Sequence, residues 1–106
     1  LVAAHHGSAG SSSPAFLAAV APRYVLYATG FADRFGFPSP RVRERVGLLG
    51  SLELDTGALG AISFRLTAGS GLLGPSWYRA HHARLWTHRP TPEVEPVQPS
   101  VGFGYD

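Results

Sequence analysis

No cysteine occurs among the 106 residues, which excludes disulfides and thiolate metal centres. Any metal held here must take nitrogen and oxygen ligands. Lysine, asparagine and methionine are also absent, and all nine basic residues are arginine. Codon usage in a G+C-rich genome accounts for that bias, while arginine also suits bidentate phosphate contacts. No apolar run approaches the roughly 20 residues of a membrane-spanning helix, and no signal peptide is apparent. Charge is sparse; nine basic and seven acidic residues leave a net +2, which permits an anionic partner without demanding one. Thirteen glycines and nine prolines commit much of the chain to loop. This length supports one small domain, or the remnant of a larger one.

What is present follows a strand–helix rhythm. Residues 1–4 read as the end of a buried strand and residues 7–13 as a small-residue loop. Ser12 or Ser13 can cap a helix with Pro14 in its first turn, and Pro22 stops it. Residues 23–29 are β-branched and aromatic, predicting a strand. A phenylalanine-rich loop leads to Pro40, which opens a second helix with Val42, Val46 and Leu49 near helical spacing. Residues 51–55 read as a short strand and 56–60 as a turn. Residues 61–67 alternate as a last strand, with Ile62, Phe64 and Leu66 on one face. This order predicts an α/β layered fold. Residues 69–74 read as linker, 77–88 as a short basic aromatic helix, and 89–106 as a disordered, proline-spaced tail.

The most informative feature is the pair His5-His6, followed by Gly7 and Ser8. Imidazole is the commonest side-chain ligand for divalent metals and a proton carrier near neutral pH. On an extended chain neighbouring side chains face opposite ways, so one histidine is expected to reach a metal and the other to face substrate. Two incidental histidines at a polar strand end are the plain alternative. Gly7 admits a close approach of backbone or substrate. The N-terminus of the serine-capped helix offers backbone N–H groups to a phosphate, or simply needs a cap. Asp55 reads mainly as turn chemistry with Thr56-Gly57. His81, His82 and His88 lie among Arg79, Arg84 and Arg89, which suggests a solvated segment that meets nucleic acid nonspecifically. Trp77 and Trp86 would there stack on bases or dock on the domain.

His5-His6-Gly7-Ser8 with Ser11-Ser12-Ser13-Pro14-Ala15-Phe16-Leu17 resembles the C-terminal metallo-β-lactamase-like domain of the ComEC family, the DNA-internalisation competence proteins of bacterial inner membranes. The resemblance continues through Pro22-Arg23, Gly30, Arg34-Phe35-Gly36, Pro38 and residues 40–46. It resumes at Leu54-Asp55-Thr56 and Gly60-Ala61-Ile62, and takes in Trp77-Tyr78-Arg79 and Arg84-Leu85-Trp86. It implies an αββα sandwich of which this chain is the second half. Residues 1–68 would complete the domain, 69–88 would be linker and basic aromatic segment, and 89–106 a tail. A His-x-His-x-Asp-His motif and a bridging aspartate would lie upstream. By analogy His6 is the last ligand of a two-metal site, zinc or manganese, with His5 catalytic on the substrate side. Ser8 and Arg34 become substrate-binding candidates, Arg34 through a phosphate.

The activity so implied is a nuclease acting on the non-imported strand, extracytoplasmic (periplasmic) in an inner-membrane parent and silent in the isolated chain. Its partners would be single-stranded DNA, the upstream half of the domain and a membrane channel domain. The loop at residues 30–40 departs from the family, which usually carries asparagine at Asp33 and histidine at Phe37, and often histidine at Ser39. Phenylalanine can neither donate a proton nor pair with a phosphate. That departure supports a second expectation, a non-catalytic DNA-guiding or structural module. A related metallo-hydrolase acting on a small phosphoester or lactone is a third.

Overall fold

A computed structural model describes residues 1–81, with side chains to Arg79. The expected tail at 89–106, and with it His82, Arg84, Trp86, His88 and Arg89, lies outside the described residues. Within them, helix and strand mix in three layers. Two helices cover one face of a parallel sheet, and an antiparallel hairpin with a one-turn helix covers the other.

The sheet is built from β1 (Tyr24–Tyr27) and β2 (Leu52–Asp55), paired in parallel from Tyr24↔Leu52 to Tyr27↔Asp55. Beyond β1, Leu26 exchanges backbone bonds with the first residues of the chain. Its N–H donates to the Leu1 carbonyl and its carbonyl accepts from the Ala3 N–H, each at 2.8 Å. The expected strand at residues 1–4 is thus reduced to a single parallel bridge, Val2↔Leu26, before the chain turns at Ala4.

Alternation along β1 divides the core. Val25 and Tyr27 pack with Ala3, Leu17, Val42 and Val46 beneath the helices. Tyr24 packs with Leu54, Leu59 and Trp77 on the other face, where Leu26 also contributes. The two longer helices begin at Pro14 and Pro40 as predicted, and Ser39, expected only as loop, adds a cap to the second. In α1 (Pro14–Val20) the Ser13 hydroxyl accepts the Phe16 N–H at 3.2 Å; in α2 (Pro40–Leu48) Ser39 accepts that of Val42 at 3.3 Å. Leu17, Val42 and Val46 are fully buried, each worth about 1.5–3 kcal/mol of transfer from water. Ala21 in the left-handed region ends α1 before Pro22.

Three expectations change beyond Asp55. Residues 56–60 form the one-turn helix α3 (Thr56–Leu59) instead of a plain turn. The stretch read as linker is most of β4 (Gly71–Trp77), which pairs antiparallel with β3 (Ile62–Thr67), so the expected boundary at 68/69 falls inside a hairpin. Trp77 ends β4 with only 4% of its surface exposed, so of its two readings docking on the domain holds and base stacking does not. Ile62 and Phe64 pack on the core as predicted, but Leu66 is 79% exposed. A register irregularity between Ser63 and Arg65 carries the hairpin past the core edge. The described chain ends in α4 (Tyr78–His81). No described helix is long and apolar enough to cross a membrane.

Candidate functional site

The histidines sit in a tight 3₁₀ turn, Ala4–Gly7, where three successive residues have positive φ: His5 at 49°, His6 at 56° and Gly7 at 83°. L-residues enter this region singly and at a cost of about 1–2 kcal/mol each, so surrounding bonds must hold the turn. The Ser8 N–H donates to the His5 carbonyl at 3.0 Å, and the Ser39 N–H to the Gly7 carbonyl at 2.8 Å. The Ser11 hydroxyl bridges the carbonyls of Ala4 (2.9 Å) and Ser8 (2.8 Å). Arg45 of α2 in turn clamps the carbonyls of Ala9, Ser11 and Ser12 at 3.2–3.4 Å. Gly7 opens no path for substrate; it is buried against Pro38 and Tyr27.

The left-handed turn overturns the expectation that the imidazoles face opposite ways. Both line one cavity of about 550 Å³, together with Ala28, Thr29 and Gly30 after β1 and Asp33, Phe35 and Phe37 of the following loop. Their ring centroids are 6.2 Å apart, and Phe37 touches both, 5.9 Å from His5 and 6.4 Å from His6. His6 Nδ1 lies 2.6 Å from the Ala28 carbonyl oxygen. A carbonyl can only accept, so Nδ1 carries the proton, and in the neutral ring Nε2 keeps the lone pair. That arrangement is the one metal-bound histidines ordinarily show. Among the described residues, however, no three His, Asp or Glu side chains converge on one point.

The acids near the cavity are engaged in backbone order. The Asp33 carboxylate accepts the N–H groups of Phe35 (3.3 Å) and Phe37 (3.1 Å), tying the loop to itself. Asp55 caps α3 through the Gly57 N–H at 2.7 Å and accepts a short hydrogen bond from the Thr29 hydroxyl. Its carboxylate thus serves backbone order, as expected, but as a helix cap and not in a plain turn. Arg34 is exposed at the rim, its guanidinium 4.6 Å above the Phe35 ring. Ser8 is half-buried and does not line the cavity; it contributes backbone groups to the turn.

Sequence reasoning missed Ala28, Thr29 and Phe35 as site residues. For Ala28 no side-chain signal exists, because its backbone carbonyl does the positioning. Phe35 belonged to a visible run of phenylalanines, but their mutual stacking did not show. Behind the site, the Tyr27 hydroxyl donates to Glu53 at 2.8 Å. Burial, then that carboxylate, pushes the phenol well above its ordinary range.

Competence protein ComA of Neisseria gonorrhoeae is 42% identical over 69 residues, a match covering 65% of this chain. The chain is a sequence relative of that competence protein. It spans about 10% of the relative's length, so it corresponds to one small part of it. No family model matches the chain, and no solved structure matches it.

Proposed function

We propose that this chain forms the C-terminal part of a metal-dependent hydrolase domain, metallo-β-lactamase-like in fold, within a competence protein of the inner membrane. The domain lies outside the cytoplasm and cleaves single-stranded DNA during uptake. The observation that carries this reading is the His6 ring, with Nδ1 on the Ala28 carbonyl and Nε2 left as the ligating nitrogen. The competence-protein relative and the layer order, helices on a parallel sheet backed by a hairpin, support it.

In this reading His6 is a metal ligand completed by residues outside this chain. His5, in the same cavity, moves a proton on the substrate side. Arg34 meets a phosphate from the rim and Ser8 supports the turn beside it. Zinc or manganese, held by His6 and by ligands from outside this chain, would supply Lewis acidity and lower the pKa of a bound water. The chain alone would be inactive, since its described residues offer no complete ligand set.

A second reading is favoured by Phe37, an apolar ring beside both imidazoles where proton transfer or a phosphate contact would need a polar group. On that reading the domain guides DNA without cutting it. The test is made on the full-length protein: metal content by mass spectrometry, and cleavage of single-stranded DNA, each with His6→Ala alongside. A hydrolase shows bound metal, cleavage, and a loss of metal affinity beyond the roughly 10- to 100-fold typical of outer-shell changes. Metal-free, non-cleaving protein overturns the hydrolase in favour of the guide. Cleavage indifferent to His6→Ala removes His6 as ligand.

A further inference from the structure

The loop after β1 carries phenylalanines that metal chemistry does not use. Phe35 and Phe37 stack at 5.7 Å with their planes 23° apart, and Phe37 stacks on His6 at 6.4 Å and 24°. Each neighbouring pair is close to parallel, in the offset geometry aromatic pairs prefer. Phe35, the outer ring, is 64% exposed despite its size. Arg34 lies on it, and Arg79 lies 5.7 Å from the ring of Phe31, itself 61% exposed. The loop is held in shape: the Asp33 carboxylate takes two of its N–H groups and the Asp33 carbonyl takes that of Gly36 at 3.0 Å.

We infer that Phe35, with Phe37 stacked on it and the Arg34 guanidinium over its ring, is a stacking platform for unpaired nucleobases of a DNA strand entering the histidine cavity. The Phe35 ring, largely exposed, and the guanidinium plane over it offer a flat base a stacking surface. The guanidinium adds a second plane and a cation for the adjoining phosphate. Single strands stack in this way regardless of sequence, whereas bases locked in a duplex present no free face. An apolar protein partner fits less well, because covering Phe35 and Phe31 would also strip water from two guanidiniums without supplying an anion. Phe37 thereby gains a function in place of the one that histidine would serve. The inference deepens the proposed function, resting on its DNA substrate but not on its metal.

The test measures binding of the full-length protein to fluorescein-labelled oligothymidylate by anisotropy, in EDTA so that nothing is cleaved. An abasic strand of equal length and a duplex serve as comparisons. The platform predicts tighter binding of oligothymidylate than of either comparison. Phe35→Ala and Phe35→Leu weaken the oligothymidylate complex roughly 5- to 150-fold for each base unstacked, and leave the abasic complex as it was. Phe35→Trp restores binding. Because Phe35 is exposed, these variants keep the fold. Equal affinity for thymidylate and abasic strands overturns the inference, and so does wild-type binding by Phe35→Leu, which marks an apolar surface for protein docking. Base-dependent binding in a metal-free, non-cleaving protein sinks the hydrolase alone. Metal-dependent cleavage indifferent to Phe35 sinks the platform alone.

Discussion

Replacing Gly7 with alanine tests whether the histidine turn is built as described. A Cβ at this position would stand 2.7 Å from Cβ of Pro38 and 2.8 Å from Cδ1 of Tyr27, with Pro38 Cα at 3.1 Å. Tyr27 is fully buried and cannot retreat. Pro38 precedes the Ser39 N–H that donates to Gly7 itself, so moving Pro38 strains that bond. The backbone also sits at φ +83°, where a Cβ costs about 1–2 kcal/mol. Overpacking adds about 1–3 kcal/mol. A loss of about 2–5 kcal/mol is expected, a large share of an ordinary domain's stability. Urea unfolding followed by tryptophan fluorescence, in a Trp86→Phe background so that buried Trp77 reports, measures it. Gly10→Ala is the control: nothing lies within 4 Å of its Cβ position and its φ is not left-handed. A Gly7→Ala loss below about 0.5 kcal/mol, the ordinary range of surface substitutions, would refute the packing described.

Tyr27 predicts a pH dependence. Its phenol is held above its unfolded value of 10.0 by burial and by Glu53, so the folded state favours the proton. That stability is complete below about pH 10 and is lost as pH rises beyond it. Tyr27→Phe should cost about 1–3 kcal/mol at neutral pH and flatten the alkaline decline, as read by unfolding at pH 7 and above 10. Asp55→Ala removes the α3 cap and the Thr29 partner together, costing about 1–3 kcal/mol in thermal or urea unfolding. Because Asp55 also takes the Thr29 hydroxyl beside the carbonyl that orients His6, metal affinity should fall by no more than the roughly 10- to 100-fold of an outer-shell change, and a larger loss would make Asp55 a ligand.

Much of the fold was legible because its signals are local. Ser13-Pro14 and Pro40 announce both longer helices, and Ser39, read as loop, caps the second in the same way as Ser13 caps the first. The apolar residues 24–27 announce β1. The hairpin partner was not legible: Gly71, Gly74 and Pro75 lack strand character, and β4 exists because β3 and the Tyr24–Leu54–Leu59 cluster give it partners. Trp77, whose arginine-rich neighbours left base stacking and docking both open, is claimed by that core. At the site, the histidine pair and the phenylalanine loop were visible as residue types, but their convergence was not. It depends on a left-handed turn that nothing in His5-His6 demands, and on a carbonyl that Ala28 would present whatever its side chain.

Parallel pairing explains why these pieces meet. The first residues of the chain, β1 and β2 run in the same direction, so their carboxyl ends share one edge of the sheet. From that edge emerge the histidine turn after Ala3, the Ala28–Thr29–Gly30 segment after β1, and the Asp55–Thr56 corner after β2. Open parallel sheets bind ligands in the crevice outside the carboxyl ends of their strands. Here the edge is also tied across. The Thr56 hydroxyl donates to the Thr29 carbonyl at 2.8 Å and accepts the Thr29 N–H at 3.0 Å, while Asp55 takes the Thr29 hydroxyl. Gly57 leaves room for this knot, since a Cβ there would stand 2.5 Å from the Gly30 carbonyl oxygen. The knot fixes the backbone that follows β1, and with it the Ala28 carbonyl that orients His6. The position of His6 Nε2 is therefore set by β2 and α3 as much as by the turn that carries the ring. Cutting that knot at Thr56 should loosen the imidazole without touching it.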